Sequence, residues 1–98
     1  MRKSYQLNNF RKKLDLIDDA LITLLALRFN VTSEVGIYKA SHRLPAVDKG
    51  REEMQLKRIE KQSKNSGLDP IFAKRFLRLV IDEVVENHKK LANLSGKH

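Results

Sequence analysis

The chain has 98 residues, 20 of them Lys or Arg and 12 Asp or Glu, for a formal charge of +8; that is one domain at most, spanning 1–98, with a modest share of its surface buried unless it pairs with another chain. The absence of cysteine excludes a disulfide framework and thiolate chemistry, while the excess of cations implies an anionic partner, whether nucleic acid, an acidic membrane or a small polyanion. The opening MRKSYQLNNF lacks the apolar core of a secretion signal and no apolar run is expected to reach bilayer-spanning length, so a soluble cytoplasmic protein is expected.

No strand-like alternation is visible, and the prolines and glycines divide the chain into three helical pieces. The first helix is expected from about Gln6 to about Ser41, with Pro45 in SHRLPAVD closing it. It carries an apolar seam of Phe10, Leu14, Ile17, Leu21, Leu24, Val31, Val35 and Tyr38, in alternating steps of four and three. A helix so much longer than the usual ~11–12 residues reads as a coiled-coil-like element. The second begins near Asp48, a plausible N-cap, and runs through REEMQLKRIEKQSK until NSG stops it. The third opens at LDP with Asp69 as cap and Pro70 at its first position, and presents Phe76, Leu77, Val80, Ile81, Val84, Val85 and Leu91 as a broad apolar face. The tail LSGKH is expected to fray.

The seam is centred on Leu24, so two copies can lie antiparallel about a two-fold axis and bury the same stripe against each other. The position that the rhythm demands after Leu24 is Arg28, a charge on the seam. Arg28 and Lys39 are eleven residues apart, nearly on one face and about 16 Å apart along a helix axis, so two long side chains reaching inward can grip one small molecule. Arg11 is roughly 25 Å from Arg28 along that helix. In an antiparallel pair, Arg11 of one chain comes level with residues in the thirties of the other, and the dimer holds two equivalent sites.

A buried guanidinium without a counter-charge costs several kcal/mol, so Arg28 must meet a carboxylate, water or a ligand anion. Taken alone it is equally a structural ion pair with an Asp or Glu such as Asp18 of the partner chain, or a side chain snorkelling off the seam edge. Lys39 alone is equally a solvated lysine complementing the helix dipole. VDKGREEM places Arg51 and Glu52 in the first turn of the second helix, where backbone N–H groups point toward an anion or a hydroxyl. Separately, each also reads as an ordinary helix-start or surface residue. On the third helix Leu77, Ile81, Val84, His88 and Leu91 share a face, which turns His88 inward. A lone core histidine is commonly just hydrogen-bonded in place.

Together, FRKKLDLIDDALITLLALR, EVGIYKASHRLPAVDKGREE and the GLDP start of the last helix resemble the all-helical, bacterial-type chorismate mutase family, from about Asn9 to Leu91. The resemblance implies an all-α, three-helix chain (long, short, medium) forming an intertwined homodimer that converts chorismate to prephenate without cofactor or metal. It implies that Arg28, with Arg51 and Arg11 donated across the interface, clamps the two carboxylates of the dianionic substrate. Lys39 would reach the ether oxygen and the enolpyruvyl carboxylate, and Asp48, largely through its backbone, and Glu52 would bind the ring hydroxyl. Two positions depart from the family pattern: Val84 stands where a well-known member has serine, and His88 where glutamine or glutamate donates to the ether oxygen. A histidine can donate there neutral or as imidazolium.

Two other readings compete. An isochorismate–pyruvate lyase has the same fold and similar cations; Asp48 and Glu52, with a full loop before the second helix, favour the mutase. A basic helical dimer that binds nucleic acid is suggested by MRKSYQLNNFRKK and HKK, but the cations spread over all three helices and no reading helix with a compact turn is evident. Neither nucleic acid nor membrane is therefore an expected partner.

Overall fold

The computed structural model describes residues 2–96 and is all-α, with helices α1 (Arg2–Ser41), α2 (Lys49–Asn65) and α3 (Pro70–Gly96) and no strand among the described residues. α1 begins earlier than expected because no Pro or Gly precedes Gly36 to interrupt it. α3 continues to Gly96, so the expected fraying is absent as far as that residue; Lys97 and His98 lie outside the described residues.

Each helix boundary has a local cause. α1 ends at Ser41 as expected, in a Schellman motif, with Leu44 N–H donating to the Lys39 carbonyl (2.8 Å) and Arg43 N–H to that of Ala40 (3.3 Å). Arg43 takes the left-handed position at φ 55° that glycine usually fills. α2 starts on Asp48, whose Oδ1 accepts from Arg51 N–H at 3.0 Å. It closes with the same motif, Gly67 at φ 74° and Leu68 N–H on the Ser63 carbonyl at 2.8 Å. Asp69 caps α3 through Ile71 N–H at 2.9 Å, with Pro70 in the first turn, where its missing N–H costs nothing.

The chain divides into two compact units, Met1–Val31 and Thr32–His98. The first is a length of α1 alone, and its apolar side chains stand in the open: Phe10, Leu14, Ile17, Leu21 and Leu24 are all exposed, Leu24 by 63%. Leu16, Ile22 and Leu27 are exposed as well, outside the seam. Apolar residues on more than one side make α1 long and apolar enough, by length and composition only, to cross a membrane, where the sequence reading expected no such run.

The second unit has the core. α2 and α3 pack antiparallel, as the cross-pairs Glu52 with Arg78 and Glu60 with Lys74 require. Ala73, Leu77, Val80 and Ile81 of α3 are buried. Burying a side chain the size of Leu or Ile contributes roughly 1.5–3 kcal/mol, so this core is small. The C-terminal end of α1 also meets α3. A Cβ at Gly36 would lie 2.6 Å from His88 Cδ2 and 2.7 Å from Leu91 Cδ1, so only glycine lets the two helices approach this closely.

Candidate active site

In the second unit, the first turn of α2 gathers three of the expected site residues. Asp48 uses one carboxylate oxygen as the cap on Arg51 N–H, and its carbonyl accepts from Glu52 N–H at 3.0 Å. The Arg51 side chain is exposed and the Glu52 side chain is mostly covered. Glu52 is also engaged by a residue that sequence reasoning missed. Arg78 of α3 donates through Nη1 to Glu52 Oε1 at 2.6 Å, with Asp82 Oδ1 at 3.6 Å on the same nitrogen. The bond to Glu52 holds the Arg78 guanidinium above its ordinary pKa, with the Coulombic pull of Glu52 and then Asp82 adding to it.

Arg78 had a signal of a kind. Glu52 and Glu60 on one helix facing Lys74 and Arg78 on the next is a charge ladder that an antiparallel hairpin would match. Lys74, followed by Lys64, pulls the Glu60 carboxyl below its usual value.

His88 faces inward as the spacing predicts and is 5% exposed. Its Nε2 lies 2.9 Å from the Thr32 carbonyl oxygen of α1. A carbonyl only accepts, so Nε2 carries the hydrogen and a neutral ring presents a lone pair at Nδ1. Nδ1 is buried without a hydrogen-bond partner among the described residues. Gly36, which makes room for this ring, was not singled out in the sequence; a glycine interior to a long helix is the available sign of a close approach. Val84, one turn before His88 on α3, is half-buried and brings no polar group. Lys39, in the last turn of α1, is half-buried.

Two expected residues belong to the first unit. Arg11 is exposed and Arg28 half-buried. Arg28 Nη1 is buried without a hydrogen-bond partner among the described residues. None of the described residues supplies a counter-charge to it within the chain, and a buried guanidinium needs one. Among the described residues no cluster of His, Cys, Asp or Glu could hold a metal ion.

The model of the chorismate mutase type II family matches residues 10–89, which include all eight residues from Arg11 to His88. The chain is 29% identical over 93 residues to a bifunctional chorismate mutase/prephenate dehydratase of Buchnera aphidicola subsp. Schizaphis graminum, covering 95% of this chain and 24% of that protein. It is 33% identical over 91 residues to the T-protein of Enterobacter agglomerans, covering 91% of this chain and 24% of that one. The chain thus spans about a quarter of the length of these curated relatives. With an all-α architecture and a family match over most of its length, the chain belongs to the chorismate mutase type II family.

Proposed function

We propose that this chain, as a homodimer, isomerises chorismate to prephenate, a cofactor-free pericyclic step toward aromatic amino acids. The observation that carries the reading is Arg28: a seam guanidinium with a buried nitrogen that none of the described residues satisfies, in a chain that belongs to this family. A carboxylate of a bound dianion is the partner that it lacks.

The reaction needs no nucleophile and no proton transfer. The protein has to select a compact conformer of a flexible dianion and stabilise the negative charge that appears on the ether oxygen as the C–O bond breaks. Arg28 and Arg51, with Arg11 of the partner, clamp the two carboxylates and so supply orientation. Lys39 donates to the ether oxygen in a site that need not reorganise. Asp48 and Glu52 receive the ring hydroxyl. His88 is the second donor, and the Thr32 contact constrains how: with Nε2–H directed at that carbonyl, donation from Nδ1 takes the imidazolium form. Val84 supplies shape rather than a hydrogen bond. The exposed seam of α1 is the surface on which the second copy docks, and Arg28, one turn from its centre, suits a helix-helix seam in water better than a lipid-facing span, which supports a soluble, cytoplasmic catalyst.

The test is to offer purified protein chorismate and, separately, isochorismate, following substrate loss by ultraviolet absorbance and identifying the products chromatographically. Prephenate from chorismate with little pyruvate from isochorismate is the expected result. Pyruvate as the main product would make the chain a lyase, and no turnover of either would end the enzymatic reading.

A further inference from the structure

Resting on the reading above, we propose that Arg78 is a positioning residue for the ring-hydroxyl end of the site, holding the Glu52 carboxylate by one oxygen so that the other is presented to the substrate hydroxyl. The charge ladder between α2 and α3 marks Arg78 only as an ion-pair partner, and its place at the site follows from the geometry. Its Nη1 is 2.6 Å from Glu52 Oε1, a short charge-assisted bond. Glu52 is the covered member of the pair, its side chain 14% exposed against 43% for Arg78. The guanidinium therefore approaches from the solvent side, while the carboxylate is the group held inward. Glu52 also lines a cavity with Val47, just before the α2 cap, and with Asp82 and Val85 of α3. A ligand there meets Glu52 on the wall between α2 and α3.

Two physical consequences follow. A glutamate in the first turn of a helix has three side-chain torsions to order, and a bond from a separate helix removes that freedom before the ligand arrives. The second is electrostatic. A bare carboxylate is a poor neighbour for a dianion, because like charges brought together out of bulk water repel strongly. Paired with Arg78, Glu52 remains a hydrogen-bond acceptor while its charge is balanced. Asp82, 3.6 Å from the same Nη1, keeps the guanidinium oriented between the two acids.

The experiment is steady-state kinetics of the purified full chain and its Arg78→Gln and Arg78→Lys variants, with chorismate and with an analogue lacking the ring hydroxyl, melting each protein in parallel. Arg78→Gln should raise KM for chorismate about tenfold with little change in kcat, the size expected for one charge-assisted hydrogen bond. Arg78→Lys should recover part of it, and the analogue should bind the wild type and Arg78→Gln alike. In a Glu52→Gln background, Arg78→Gln should add nothing further. Equal losses for chorismate and the analogue, or an undiminished effect in the Glu52→Gln background, would reduce Arg78 to a tie between α2 and α3 and overturn the proposal. If Arg78→Gln fails to fold, Arg78→Lys and the Glu52→Gln comparison with the analogue carry the test. A wild-type chain inert toward chorismate would instead sink the catalytic reading itself.

Discussion

The two units of this chain handle apolar surface in opposite ways. Thr32–His98 turns Ala73, Leu77, Val80 and Ile81 inward and closes its helix ends with caps and Schellman motifs. The described part of Met1–Val31, from Arg2 on, is one length of helix with Phe10, Leu14, Ile17, Leu21 and Leu24 exposed. A single helix has nothing of its own to pack against, and patches of exposed apolar side chains mark interaction surfaces in soluble proteins. The lesson is that one part of the sequence covers its apolar side chains within the chain, while the other leaves them uncovered. Arg28 repeats that lesson in charge rather than area.

The contrast can be broken most directly at Leu24. Leu24→Asp places a carboxylate at the centre of the proposed seam, facing its own copy across the two-fold axis. Burying that charge should weaken the dimer by on the order of 3 kcal/mol or more, about a hundredfold in dissociation constant. Sedimentation should then report monomers, and turnover should fall with the loss of the partner's Arg11; an intact, active dimer would move the interface elsewhere. In the other unit, Leu77→Ala removes buried methyl groups and should cost about 2–5 kcal/mol, read as a lower melting temperature. An unchanged melt there would mean that the small α3 core does not hold the unit together.

Gly36→Ala sharpens the comparison at the end of α1 that meets α3. The added methyl would lie 2.6 Å from His88 Cδ2 and 2.7 Å from Leu91 Cδ1, so about 1–3 kcal/mol of overpacking is expected. His88 should be displaced from the Thr32 carbonyl, visible as a shift of its ring signals by nuclear magnetic resonance; unaltered signals would contradict the close approach. The smallest effect is electrostatic. Lys74 and Lys64 depress the Glu60 carboxyl below 4.5 in the folded chain. Its contribution is therefore present above that value and is lost as pH falls through the depressed folded value. Glu60 is half-exposed and its ion pairs are screened by salt, so Glu60→Gln should narrow the acid-side loss of stability only slightly, and less at high salt. A large acid shift would point to a buried carboxylate instead.

Much of this was legible in the sequence because it depends on neighbours along the chain. Asp48 and Asp69 were readable as caps because capping is a contact of two or three residues, and the seam was readable because helical periodicity is local. The end of α1 was only half legible. Its place, at Ser41, was expected with Pro45 as the stop signal, but the device that closes it is Arg43, which adopts a conformation that nothing in an arginine advertises. The second apolar side of α1 was overlooked because attention to a three-and-four rhythm passes over residues such as Leu16 and Ile22 that fall outside it.

The sequence by itself determined the helices, their caps, the uncovered stripe and the kinds of side chain available for an anionic ligand, since all of these follow from chemistry within a few turns. Only tertiary structure decided that Glu52 is held by Arg78, that His88 spends Nε2 on the Thr32 carbonyl, and that Gly36 is where α1 and α3 come closest. These contacts join residues 26, 56 and 52 positions apart. At such separations no local rule selects one partner over another; the choice belongs to the packing of whole helices.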